Sequence, residues 1–400
     1  MSFDANAQEN GPLAGYTVID LSRALAGPHA TMMLGDLGAQ IIKVESTNGG
    51  DDTRGWGPPF VGPEEDRQST YFLSCNRNKR SIVLNLKSAD GFETLRSMIK
   101  KADVLVENFR PGVMDRLGLT TQLLHEINPK LVMLSISGFG HDGPEAARSG
   151  YDQILQGEAG LMSLTGPSAD DPQKVGVPIG DLLAGMYGAY GVLAALLERE
   201  RTGLGQQVRT SLLAAIVGVH AFQGTRNTVA GQVPKAQGNH HPSIAPYGLF
   251  RSADGFVQIS VGSPKLWQAL VEKFQLPTAG FESNAQRVER REELIAIIEK
   301  VFMQIPTQPL LKQLGEAGIP AGIVRTLDEV YEWDQVRSQG LVLQVQHPVL
   351  GQVELPGAPL RFFDGKHEVS RKEHTAPPLL NQHEQEIREW LGQDAAQVAT

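Results

Sequence analysis

One carboxylate, Asp181, stands at the start of a long apolar segment running from Val177 to Arg199. At a helix N-terminus such a group can serve as an N-cap for unpaired N–H groups, favoured by the dipole. Partly desolvated and ionised in the same place, it is a nucleophile toward an acyl carbonyl. The segment behind it carries Gly185, Gly188, Ala189, Gly191, Ala194 and Ala195. Small residues at three- and four-residue spacing let a helix pack closely on its neighbours. A second set of reactive groups is cationic: Lys79, Arg80, Lys87, Arg110 and Arg116. Gathered at strand ends, with an aromatic such as Phe109 beside them, they suit a phosphate-bearing ligand with a stackable ring.

The elements that must position these groups follow a regular alternation. Thr17 to Leu21 reads as a buried strand, followed by a helix closed at Gly38 and a second strand, Gln40 to Glu45. Strand Ser81 to Leu86, helix Gly91 to Lys101, strand Val104 to Glu107, helix Gln122 to Ile127 and strand Leu131 to Ile136 complete the series. This order predicts an α/β fold with a parallel, doubly wound sheet. Ligands of such sheets bind beyond the carboxyl ends of the strands. Those ends carry Arg23-Ala24-Leu25-Ala26-Gly27, then Asn108-Phe109-Arg110-Pro111-Gly112, then Ser137-Gly138-Phe139-Gly140. The glycine fingerprint of dinucleotide sites is absent, since Ala26-Gly27-Pro28-His29 follows the first strand.

After a second apolar helix, Ser211 to Ala221, comes a loop centred on His240 and His241, and the pattern then changes. A hairpin from Tyr247 to Val261, three helices and a strand at Ala321 to Val324 predict a small α+β domain. The expected layout is a large domain over 1–225, the small one over 226–330, and a return to the large one over 331–400. Adjacent histidines lack the one-face spacing of a metal pair, so no metal site is expected. A net charge of −9 argues against a nucleic-acid surface. Leu182 to Leu197 is short and glycine-rich for a membrane span, so no membrane partner is expected. The single cysteine, Cys75, is expected to be buried and fits a reducing, cytoplasmic compartment.

Several motifs, in one order, resemble the family III CoA-transferases typified by formyl-CoA transferase and carnitine CoA-transferase. They are Ala26-Gly27-Pro28, the run Leu37 to Glu45, Asn78-Lys79-Arg80-Ser81, Ala102 to Gly112, Ser137 to Gly140, Gly180-Asp181, Thr202 to Gln206, and Ala245-Pro246-Tyr247. The resemblance spans about residues 13 to 390. It implies a Rossmann-like large domain and an interlocked homodimer. It makes Asp181 the nucleophile, Arg116 a contact of CoA phosphate, and Leu84, Lys87, Asn108 and Phe109 the lining of the nucleotide. The loop at His240, His241 and Pro242 corresponds to the family's mobile lid, with histidines in place of glycines. Leu25 and Ser46 stand where formyl-CoA transferase has a glutamine and an arginine, so its acceptor choice does not carry over.

The implied reaction moves CoA from an acyl-CoA to a carboxylic acid through an aspartyl-CoA thioester, with CoA as co-substrate and no tightly bound cofactor. Two alternatives share the fold. An acyl-CoA racemase pairs a histidine with the aspartate, but the matching position here is Tyr151, and a phenol is a poor general base at neutral pH. His141 and His220 are the other candidate bases. A non-catalytic acyl-CoA-binding protein would have no use for Asp181. The missing fingerprint disfavours a nicotinamide oxidoreductase.

Overall fold

The structure is a computed structural model and is described for residues 11–393. Contacts divide the chain into two units. Of the described residues, the first holds 11–159, Val175–Gly224 and 334–393; the second holds Gly160–Lys174 and Thr225–Trp333.

The first unit begins with β1 (Thr17–Asp20), α1 (Ala26–Asp36) and β2 (Gln40–Glu45), followed by the two-residue strands β3 (Phe60–Val61) and β4 (Gln68–Ser69) and a short helix, α2 (Thr70–Ser74). Then come β5 (Lys79–Val83), α3 (Ala89–Lys101), β6 (Val104–Glu107), α4 (Val113–Arg116), α5 (Thr121–Ile127), β7 (Val132–Ser137) and α6 (Asp152–Glu158). The long helix α7 (Ile179–Thr202), β8 (Gln207–Ser211) and α8 (Leu212–Gly218) complete the series, and α9 (Ala221–Thr228) crosses into the second unit.

Six strands form one parallel sheet in the order β5-β2-β1-β6-β7-β8. The chain winds outward from β1 through β2 to β5, then restarts on the other side of β1 with β6. The crevice between β1 and β6 is therefore the topological switch point. β8 is an addition to the expected series. Its sequence, Gln-Val-Arg-Thr-Ser, lies at the sheet's edge and is only half-buried, so it lacks the apolar run of the interior strands. The expected helix from Ser211 to Ala221 is broken in two, with Ala221 in the left-handed region at φ 47°.

One face of the sheet carries a core of Ile19, Ile42, Ile82, Leu95, Met98, Leu105 and Met133. On the other, α7 packs against α1, β7 and β8. Its small residues allow this: a Cβ on Gly185 would stand 2.6 Å from the Ala26 carbonyl oxygen, and one on Gly191 2.6 Å from Val208. Among the described residues, α7 is the one single helix long and apolar enough to cross a membrane, yet it packs along this sheet.

The second unit holds the antiparallel strands β9 (Tyr247–Arg251) and β10 (Phe256–Ser260), then α10 (Pro264–Phe274), α11 (Asn284–Glu289), α12 (Arg291–Phe302), α13 (Thr307–Glu316), β11 (Ala321–Ile323) and α14 (Leu327–Glu332). Its core is aromatic-rich, with Phe250, Phe274 and Phe302 in edge-to-face contact. Gly160–Lys174, expected within the large domain, groups with this unit because Ala236 N donates to Ser163 O at 3.0 Å and Gly238 N to Gly166 O at 2.9 Å. The chain returns to the first unit with α15 (Asp334–Ser338), the hairpin β12 (Val342–His347) and β13 (Gly351–Pro356), the pair β14 (Phe363–Asp364) and β15 (His367–Glu368), and α16 (Glu384–Leu391).

Candidate functional site

The loop after β1 is held from below by buried charge. Asp20 Oδ2 accepts from Thr31 Oγ1 at 2.7 Å and Lys79 Nζ at 3.1 Å, while Oδ1 accepts from the Ser22 N–H and hydroxyl. Burial alone would raise this carboxyl, but the Lys79 and Lys43 ammonium groups outweigh it and bring it down to about 2. Lys43 Nζ donates to Ser22 O at 3.0 Å and pairs with Asp51 at 2.8 Å. Asp51 Oδ1 in turn accepts from Ala24 N at 3.2 Å, fixing a residue with φ 62°. Glu45 closes the network, gripped by Arg54 through two bonds of 2.7 Å and by Ser81 at 2.6 Å.

Across the switch point, the loop after β6 is fastened to the loop after β1. Arg23 N donates to Asn108 Oδ1 at 2.8 Å, and Asn108 Nδ2 donates to Arg23 O at 2.7 Å. Asn108 thus spends its amide on backbone. Two hollows open on either side of this clasp, and Arg23, Phe109 and Arg110 line both. The first, about 450 Å³, reaches Asp181 and also includes Ala26, Ser137, Gly138 and Tyr151. The second, about 480 Å³, is lined by Leu84, Lys87, Ser46 and Val113. Arg23 and Arg110 are exposed, and among the described residues neither enters an ion pair. The Arg23 guanidinium lies 5.6 Å from the Phe109 ring centre. Two arginines and an aromatic ring therefore stand between the hollow at Lys87 and the one at Asp181.

Asp181 lies in the first turn of α7 but does not cap it. The N-cap residue is Pro178, and the helix start is satisfied by Asp152, whose Oδ1 accepts from Gly180 N at 2.7 Å and Asp181 N at 3.4 Å. Among the described residues no donor engages the Asp181 side chain. Burial, and then the Asp152 charge, push its carboxyl from 3.8 up to about 7. The nearby Tyr71 phenol is pushed up to about 12 by burial and then by Asp181. Tyr151, 66% exposed, stands immediately before α6 on the wall of the same hollow.

Other expected contacts lie elsewhere. Leu25 is buried against Met32 and Cys75, so Arg23 and Ala24 face the hollow in its place. Phe139 is buried under the Arg148 guanidinium, 4.3 Å away, and Gly140 N bonds to Ser137 Oγ at 3.1 Å; neither lines the hollow. Arg116 is exposed at the end of α4 and lines neither hollow. Lys79 and Arg80 do not serve a ligand at the strand's carboxyl end. They belong to β5 itself, at its amino end, where Lys79 pairs with Asp20 and Arg80 with Glu386. His240 and His241 lie in the second unit, edge-on to Phe250 and tilted over Tyr247. His141 is within reach of Ser137 Oγ at 3.4 Å, and His220 of Ala159 O at 2.8 Å; neither lines the Asp181 hollow. Cys75 is free and buried, its thiol pushed up to about 11 by burial. Asp152 is the residue that reading the sequence missed.

The chain is similar to several known proteins over almost its full length. It is 38% identical to a human succinyl-CoA:glutarate CoA-transferase, covering 93% of this chain and 84% of the relative. It is also 38% identical to an acetyl-CoA:oxalate CoA-transferase of Acetobacter aceti, over 90% and 92% of the two chains. A succinyl-CoA:mesaconate CoA-transferase of Haloarcula marismortui is 36% identical over 96% and 97%. Among solved structures, a CaiB/BaiF family protein of Brucella suis superposes with a TM-score of 0.85 at 39% identity, over 96% of this chain and all of that one. The model of CoA-transferase family III matches residues 13–384. A charged, two-chambered crevice at the switch point, ending on an unpaired carboxylate, is thus accompanied by likeness along the whole chain, and this protein belongs to CoA-transferase family III and is a CoA-transferase.

Proposed function

We propose that the protein transfers CoA between small dicarboxylic acids through an aspartyl-CoA thioester on Asp181. The observation that carries this reading is the Asp181 carboxylate itself, without a hydrogen-bond donor among the described residues, at the end of a hollow that shares Phe109, Arg23 and Arg110 with the chamber at Lys87. The acceptors in the names of the relatives, glutarate, oxalate and mesaconate, each carry two carboxylates, as does the succinyl donor of two of them, which supports the acid class; the third donor is acetyl-CoA.

In the first step the Asp181 carboxylate attacks the thioester carbonyl carbon, the C–S bond breaks, and CoA leaves as thiolate. The thiolate then attacks the Asp181 carbonyl of the mixed anhydride and expels the donor acid as a carboxylate. The acceptor carboxylate attacks the resulting aspartyl thioester, and the thiolate finally returns to the acceptor carbonyl, restoring Asp181. Thioester energy is conserved throughout, and every step exchanges one acyl–oxygen or acyl–sulfur bond for another.

In this reading Leu84, Lys87, Phe109, Arg110 and Arg23 hold the nucleotide and phosphates. Ala26, Ser137 and Gly138 flank the pantetheine, and Tyr151 contacts the acyl group. An interlocked homodimer is supported by the exposed apolar stripe Met186, Tyr190, Leu193 and Leu197 of α7, which a second copy would cover. A reducing, cytoplasmic compartment is supported by the free thiol of Cys75 and is tested by cell fractionation. Racemisation by a histidine–aspartate pair is not supported, since among the described residues Tyr151 and no histidine lines the hollow. Incubation with succinyl-CoA and hydroxylamine should place a hydroxamate on the Asp181 peptide, read by mass spectrometry. Asp181→Ala should abolish exchange and retain CoA binding; exchange that survives it would overturn the assignment.

A further inference from the structure

The start of α7 lacks a side-chain cap of its own, because Pro178 has no hydrogen-bonding side chain. Asp152, the first residue of α6, takes that place from 28 residues upstream in the chain, with Oδ1 on Gly180 N at 2.7 Å and Asp181 N at 3.4 Å. Its other oxygen accepts from Gln156 Nε2 at 2.7 Å, four residues further along α6. Gln156 is fully buried, and its Oε1 accepts from Val175 N at 2.8 Å. Two side chains one helical turn apart therefore hold the main chain at residues 175, 180 and 181. Position 180 is shaped to this contact: a Cβ there would stand 3.0 Å from Asp152 Oδ1.

We propose that Asp152 is the positioning residue for the transfer: its carboxylate holds the backbone of Gly180 and Asp181 at the helix start, and its charge adds to burial in opposing a second negative charge on Asp181. The proposal rests on Asp181 being the nucleophile. By taking the N–H groups at the helix start, Asp152 keeps those donors from neutralising Asp181, which stays basic and hence strongly nucleophilic. When Asp181 attacks the thioester, its negative charge passes with the electron pair to the departing sulfur, and no proton moves. The repulsion between the two carboxylates is then relieved, so the pair disfavours the ground state relative to the acylated one. The other charged or titratable groups around the hollow are Arg23, Asp52, Tyr71, Arg110, Arg148 and Tyr151. Burial and the Asp152 charge together bring the Asp181 carboxyl to about 7.

The experiment compares wild type with Asp152→Asn and Asp152→Ser, which are neutral but keep an oxygen able to cap the helix. The Asp181 carboxyl is titrated by difference infrared spectroscopy, using Asp181→Asn to identify its band, and kcat/KM for succinyl-CoA is followed against pH. Both neutral variants should move the Asp181 midpoint, and the acid limb of kcat/KM, to lower pH. Burial persists, so the midpoint should stay above the ordinary carboxylate value. A purely structural role for Asp152 would lower rates at all pH values without moving either curve, and that result overturns the proposal. So does a wild-type midpoint at the ordinary carboxylate value, which needs no variant to fold. Hydroxylamine trapping on wild type separates the two readings: an adduct on Asp181 with unmoved curves refutes the role of Asp152 alone.

Discussion

Asp181→Asn should stabilise the protein, by an amount that grows with pH. In the folded state burial first and Asp152 second raise this carboxyl from 3.8 to about 7, whereas in the unfolded chain it loses its proton near the ordinary value. Between those two pH values the folded state therefore binds the extra proton. The stability contributed by the protonated group is fully present below the unfolded value and is lost as pH rises through about 7. The whole displacement is worth about 4 kcal/mol, at roughly 1.4 kcal/mol per pH unit. One face of the carboxylate meets the hollow, where water screens it, so about 2–3 kcal/mol is the expected loss. Asparagine is isosteric with the protonated acid and does not ionise. Urea unfolding of both proteins, at matched concentration because association adds to apparent stability, is measured at steps from about pH 4 to about pH 8. The two curves should nearly coincide at the acid end and separate toward neutrality, with the variant more stable, before running parallel above it. A variant that is less stable above neutrality, or a gap that does not change with pH, would refute the reasoning.

Two further outcomes follow from packing. Gly185→Ala would push a methyl group to 2.6 Å from the Ala26 carbonyl oxygen, costing about 1–3 kcal/mol in urea unfolding and raising KM for the acyl-CoA, because Ala26, the first residue of α1, lines the hollow; wild-type values of both would show that the helix can yield. Tyr190→Glu combined with Leu197→Glu places charge on the exposed apolar stripe of α7 and should shift the sedimentation coefficient to that of a single chain, whereas an unchanged assembly would mean that copies meet elsewhere.

The alternating elements around the sheet were legible because buried parallel strands are short apolar runs, as at Thr17–Asp20 and Val132–Ser137, and because α3 is strongly amphipathic. What escaped has physical causes. β8 is an edge strand with few apolar residues, so no hydrophobic pattern announces it. A two-residue shift in the start of β5 turned Lys79 from an expected ligand contact into the buried partner of Asp20, since charges beside a strand do not reveal which end they occupy. Asp181 was legible as a carboxylate at a helix start, yet its relation to Asp152 was not. That contact joins side chain to backbone across 28 residues, and no local spacing encodes it. Leu25 looked like a loop residue facing the ligand, but the left-handed turn at Ala24 carries it into an apolar cluster.

The linked ions beneath the first crevice loop bear on how such a protein can diverge. Asp20, Lys43, Glu45, Asp51, Arg54 and Lys79 satisfy one another out of reach of solvent, so losing any one strands its neighbours, while exchanging several together for apolar groups need not. Drift one residue at a time is thereby blocked on that side of the cleft. New preferences among acids are expected to arise at Tyr151, which enters none of these ion pairs and whose exposed side chain can be exchanged without disturbing the grip on the shared carrier.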